Sequence, residues 1–94
     1  ALDPQNQEIR IRLAKAYAKK GYLTRAVQEL QQITREDPRQ VHARLQLGLL
    51  HLGQGNALDA ELEWQTVLKI DPSNTEAKSL IARLDREQPL GGNA

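Results

Sequence analysis

Apolar side chains recur along this chain three and four residues apart, the spacing that places them on one face of an α-helix. Leu13 and Tyr17, Leu30 and Ile33, Leu47 and Leu50, and Trp64 and Val67 are such pairs. Glycine and proline punctuate the intervals between them. Gly21 and Gly55 stand where a first helix must end, because the residue just past a helix end turns left-handed to satisfy the last carbonyls, and glycine does so without steric penalty. Pro38 and Pro72 cannot continue an incoming helix and so turn the chain into the next one. Asn6, Gln40 and Asn74 follow the prolines at helix starts, and Asn56 is placed to cap a helix with Asp59 three residues on. The pattern predicts helices over about 7–20, 24–36, 41–53, 57–70 and 75–87 and no strand.

The punctuation is periodic. Asp3-Pro4, Asp37-Pro38 and Asp71-Pro72 keep a constant offset of 34 residues. The same offset aligns Arg10 with Arg44, Leu13 with Leu47, Gly21 with Gly55, Ala26 with Ala60, Glu29 with Glu63 and Gln31 with Gln65. Such a register marks helical hairpins of equal length, each sharing its apolar layer with its neighbour. Ala26 and Ala60 sit where the two helices of a hairpin cross, facing Ala14 and Gly48, and small residues there let the backbones approach. The expected organisation is one domain over about 1–88: repeat one at about 7–40, repeat two at about 41–74 and a capping helix at about 75–87. Residues 89–94 read as a disordered tail. The opening Ala1-Leu2-Asp3-Pro4 reads like the end of an earlier repeat, so the open apolar end of the stack is expected at the N-terminal side. Lys78, Arg83, Asp85, Arg86 and Glu87 suit the last helix to closing the other end.

Leu13-Ala14-x-x-Tyr17, Gly21, Ala26, Leu30 and Pro38 together resemble one unit of the tetratricopeptide repeat family. Leu47-Gly48, Gly55, Ala60, Trp64, Val67 and Pro72 resemble a second, and Ile81-Ala82 begins a third. Arg10 and Arg44, where the family often has a large aromatic residue, and His51, where it prefers Tyr, depart from the pattern. The resemblance implies an all-α, right-handed α-solenoid of antiparallel helix hairpins with about five helices. It also implies a role in protein–protein interaction, with the first helix of each repeat lining a concave groove.

Composition adds exclusions. Charged residues are 27% and hydrophobic ones 39%, but aromatics are only 3%, which favours helix over strand. A formal charge of +1 offers no field for a polyanion, and only Tyr17 and Tyr22 could stack on bases, so nucleic-acid binding is disfavoured. There is no cysteine, hence no disulfide, thiolate chemistry or cysteine-ligated zinc. No apolar run reaches about 18 residues, so no membrane insertion is expected. The compartment stays open, with the cytoplasm as the default.

Catalytic constellations are missing as well. His42 and His51 lie nine residues apart, not at the four-residue spacing that would let both ligate one metal, and they read as a surface residue and a packing replacement for Tyr. Asp59, Glu61 and Glu63 sit near a helix start, where acidic residues favour the dipole. No catalytic, cofactor or metal site is expected.

The helix over 41–53 is apolar on two opposite sides. Leu47, Gly48, Leu50 and His51 form one side, while Leu45, Leu49 and Leu52 recur on the other. The resemblance places Glu8, Ile11, Lys15 and Ala18, then Glu76, Ser79, Arg83 and Arg86, at the matching groove positions. The expected partner-binding groove therefore uses Ile11, Lys15, Leu45, Leu49, Leu52, Arg83 and Arg86: a leucine strip with basic walls. It would hold a protein segment, either an amphipathic helix or an extended peptide with apolar anchors and acidic residues. The alternative is that Leu45, Leu49 and Leu52 are covered by a second copy of the chain, which would make it a self-associating scaffold, or by further repeats of a longer array. Some family members clamp a client's C-terminal carboxylate with Lys and Asn, but Ile11, Lys15, Gln46, Glu76 and Leu80 occupy those places here, and no such clamp is expected.

Overall fold

The computed structural model describes residues 3–87, which form α1 (Pro4–Lys19), α2 (Leu23–Glu36), α3 (Val41–Gly53), α4 (Ala57–Ile70) and α5 (Thr75–Glu87), with no strand among them. The predicted tail at 89–94 lies outside the described residues. Each helix packs on the next, and α1 also touches α3. The body measures 47 × 31 × 18 Å. Its least dimension holds two helical layers, since packed helices lie about 8–10 Å apart.

The joints follow from the residues at them. Gly21 and Gly55 have φ of 89° and 84°. At the first, Tyr22 N–H donates to the Tyr17 carbonyl (2.9 Å) and Gly21 N–H to that of Ala18 (2.9 Å). Asn56 to His51 (2.8 Å) and Gly55 to Leu52 (3.0 Å) repeat the arrangement, so both first helices end in the same glycine-dependent cap. In all three Asp-Pro pairs the aspartate carboxylate accepts the N–H two residues on: Gln5 at 3.0 Å, Arg39 at 3.3 Å and Ser73 at 3.3 Å.

Two details differ from the sequence reading. The first helix begins at Pro4, not near residue 7, because Asp3 caps it and proline is tolerated in a first turn. Asn6 is therefore inside the helix, whereas the Gln40 and Asn74 side chains do cap, accepting from His42 N–H (3.1 Å) and Ala77 N–H (2.8 Å). Asn56 holds its N-cap position without a side-chain bond.

The core has two parts that meet in α3. Ile11, Ala14, Ala26, Val27, Leu30, Ile33, Ala43 and Leu47 form the first, and Leu45, Ala60, Trp64, Val67, Ala77 and Leu84 the second. α3 sends Ala43 and Leu47 one way and Leu45 the other. Ile11 is wholly buried and Leu45 is 4% exposed, so neither can offer a partner the surface predicted for it. Leu13, expected in the core, is instead 49% exposed. Leu47, its counterpart 34 residues on, is covered by α2, and no described helix stands in that place over α1.

The two hairpins solve the same crossing differently. Gly48 faces Trp64, and a Cβ on Gly48 would come within 2.6 Å of the indole Cε2. The ring donates from Nε1 to the Leu45 carbonyl at 3.3 Å. In the first hairpin Ala14 and Leu30 hold these positions. A larger residue on one helix is matched by a smaller one on the other. Where the resemblance calls for an aromatic residue, arginine forms an ion pair instead: Arg10 with Glu36 at 2.8 Å, and Arg44 with Glu63 at 3.0 Å, each joining the two helices of a hairpin. Polar contacts also lock the α2–α3 turn onto α1, where buried Gln7 donates to Asp37 (3.2 Å) and accepts from Gln40 (2.7 Å).

Gly48→Ala should destabilise the chain despite alanine's roughly 1 kcal/mol helix advantage, with a net loss of about 1–2 kcal/mol from overpacking. Combining it with Trp64→Leu recreates the Ala14–Leu30 pair, and a double-mutant cycle by urea denaturation should show favourable coupling of about 0.5–3 kcal/mol. Additive losses would mean that the ring and the glycine do not constrain each other.

The Arg10 guanidinium, helped by the Gln32 amide, holds the Glu36 carboxyl below its ordinary 4.5. A carboxylate whose pKa is lowered by folding stabilises the fold above its unfolded value, and that stabilisation disappears as pH falls through the folded value. The melting temperature should therefore drop below pH 4.5, and Glu36→Gln should flatten that acid limb while leaving the Asp71 contribution, maintained chiefly by the Ser73 hydroxyl, in place. Parallel pH–melting curves for wild type and variant would discount the pair.

Candidate functional site

The first helices of the two hairpins stand side by side. Glu8 and His42, one repeat apart in sequence, meet across the α1–α3 seam with Nδ1 3.0 Å from Oε1 and 3.2 Å from Oε2. His42 is thus half-buried and paired, more than the plain surface residue read from the sequence. Towards the other end of the seam lies a recess of about 180 Å³. Ala18, Leu30 and Leu50 provide its apolar lining and Lys15, Lys19 and Gln46 its polar lining. Small-molecule pockets usually measure about 300–1,000 Å³. The recess is therefore scaled to a single side chain.

The structure separates the seven predicted groove residues. Lys15 is exposed on α1, Leu49 on α3, and Arg83 and Arg86 on α5. Leu52 is half-buried against the second part of the core. Ile11 and Leu45 are core, as described above. The strip is shorter by Leu45 because the side of α3 that carries it is already covered by α4 and α5, through Trp64, Ala77 and Leu84.

Lys19, Gln46 and Leu50 were missed. The signal was present, since Lys15 with Lys19 and Gln46 with Leu50 are pairs four residues apart on adjoining helices, the spacing that forms a ridge. The periodicity places Leu50 on the core side of α3, and it serves both, packing on the first cluster while lining the recess.

Among the described residues no group of three His, Asp or Glu side chains is placed to hold a metal ion. His51, half-buried, has an Nδ1 with no hydrogen-bond partner among them. No described helix is long and apolar enough to cross a membrane.

A family model described as tetratricopeptide repeat matches residues 1–43 and again 23–84. The comparison with curated proteins returned no match. The overlapping family matches cover both hairpins and most of α5, and they agree with the cap geometry, the small-residue crossings and the helices shared between layers: the chain belongs to the tetratricopeptide repeat family.

Proposed function

We propose that this chain binds an amphipathic helix or extended peptide along the wall formed by α1, α3 and α5, with an apolar anchor in the recess and acidic residues against Lys15, Lys19, Arg83 and Arg86. The family suggests a protein–protein interaction module, and its members typically bind proteins or peptides. The observation that carries the finer reading is the apolar recess under Lys15 and Lys19, whose Leu50 wall belongs to the same helix as the exposed Leu49.

Magnitudes set the expected strength. Leu49 and Leu52 are both partly covered already, so they contribute less than the roughly 1.5–3 kcal/mol each that full burial brings. Association alone costs about 4 kcal/mol or more. Micromolar binding, about 8 kcal/mol, therefore requires the recess and the basic residues as well. The isolated chain should bind more weakly than about 1 µM, and more weakly still in salt.

A labelled helical peptide with leucines at i, i+4 and i+7 and flanking glutamates is a suitable probe. By fluorescence anisotropy, Leu49→Asp and Lys15→Glu should each weaken it by about tenfold or more, which is about 1.4 kcal/mol, with an unchanged helical spectrum. Equal affinity for a scrambled peptide of the same composition would sink the proposal. A peptide with an acidic C-terminus should bind no better than its C-terminally amidated form, since the carboxylate-clamp residues are lacking. Tight carboxylate-dependent binding by calorimetry would overturn that expectation.

A further inference from the structure

The place of the recess recurs in the second unit, and there it is built from different residues. Lys15, Ala18, Lys19, Leu30, Gln46 and Leu50 line the first. One repeat on, the same positions hold Leu49, Leu52, Gly53, Trp64, Leu80 and Leu84. Within the layer the second set is the larger or the more apolar: Leu52 stands for Ala18, Trp64 for Leu30 and Leu80 for Gln46. Trp64 is wholly buried and Leu84 nearly so, with Leu52 and Leu80 packed on the same cluster. Leu50, the counterpart of Leu84, is only half-buried. The first unit is short of side-chain volume where the second has more, and about 180 Å³ stands open there. Protein interiors are close-packed, so a hollow walled by Ala18, Leu30 and Leu50 forgoes contacts that an entering apolar side chain would supply.

The opening does not depend on what precedes α1. α2 covers α3 at Ala43 and Leu47, whose counterparts on α1 are Ile9 and Leu13. Lys15 and Lys19 correspond instead to Leu49 and Gly53, which stay exposed with α2 in place. Ala18 corresponds to Leu52, which packs among residues of α4 and α5. A helix standing before α1 as α2 stands before α3 would therefore leave the recess open. Its rim has one sign, since Lys15 and Lys19 form no ion pair among the described residues and the α3 side offers the neutral Gln46.

We propose that the recess is a specificity pocket for one large apolar side chain (leucine, methionine or phenylalanine) carried by a protein segment with an acidic residue next to it. That side chain completes the first unit's layer as Leu52 and Trp64 complete the second's. The inference rests on the peptide-binding reading and sharpens it: a single anchor sets the register of the bound segment, and its contacts with Leu49 and Leu52 follow from that register. An alanine at the anchor position leaves the hollow empty, and a basic neighbour is repelled by Lys15 and Lys19.

Three labelled peptides of one glutamate-flanked sequence, with leucine, phenylalanine or alanine at a single central position, test this on the full chain by fluorescence anisotropy. The leucine and phenylalanine peptides should bind about tenfold or more tighter than the alanine peptide. Ala18→Leu installs the residue that the second unit carries at this place. It should raise the melting temperature, as filling a hollow does, and leave the helical spectrum unchanged. It should also bring the leucine peptide down to the affinity of the alanine peptide, whose own binding holds. Full discrimination between leucine and alanine peptides by the Ala18→Leu chain overturns the inference, and so does a lowered melting temperature, which would mean that no unfilled space exists beside Ala18. If Leu49→Asp still weakens both peptides in either case, the groove reading survives without the pocket. Absence of binding by all three peptides to the folded wild-type chain overturns both.

Discussion

A pair of α-helices has one shared side and several free ones, and no hairpin of this length can bury all of its apolar residues within itself. In this chain the difficulty is met at α3, which is packed on two sides. Ala43 and Leu47 complete the first hairpin's layer, while Leu45 supports the second through Trp64, Val67 and Leu84. If α3 tilted away from either neighbour, one of the two apolar clusters would open to water. Stability in such a stack is a sum of units and nearest-neighbour contacts, so the central helix carries contacts that neither hairpin could supply alone.

The crossing within each hairpin shows how the repeat tolerates change. Its two versions, Ala14 with Leu30 and Gly48 with Trp64, hold the helices together at different side-chain sizes. Trp64 is fully buried and still bonds its ring nitrogen, which meets the requirement that a buried polar group find a partner. The family's usual aromatic residue in the first helix is replaced in both units by arginine, and each arginine finds a glutamate on the opposite helix. These exposed or half-exposed pairs contribute little energy apiece. Each ties the first helix of its hairpin to the second.

Much of this was legible from spacing. The offset of 34 between Asp-Pro pairs, and the glycine following each first helix, gave the hairpins and both left-handed caps, because those features depend on local backbone chemistry. The side of a helix on which a residue falls was also legible. What periodicity does not reveal is which neighbour occupies that side. Leu45 and Ile11 fall on the face the family resemblance assigns to the groove, yet each is close enough to its own second helix to be buried. Leu13 fails in the opposite direction: its side of α1 corresponds to the one that α2 covers on α3, and no described helix covers it. The recess was missed for a related reason. It arises between residues of three different helices, Lys15, Leu30 and Leu50, whose proximity follows from packing and not from any spacing along the chain.

The same geometry explains why belonging to this family determines a scaffold more firmly than a ligand. Along α3 the buried and exposed positions interleave: Leu47 and Gly48 are core, Leu49 is exposed, and Leu50 lines the recess while touching the core. A substitution at Leu49 changes the surface chemistry without disturbing the layer beneath, whereas one at Gly48 displaces Trp64 at once. Surface chemistry can therefore vary independently of the fold at exposed positions such as Lys15, Leu49 and Arg83, and is tied to it at Leu50. A partner that inserts a side chain over Leu50 would sense the spacing of α1 and α3 directly, so its affinity would depend on the stability of the stack as well as on the residues it touches.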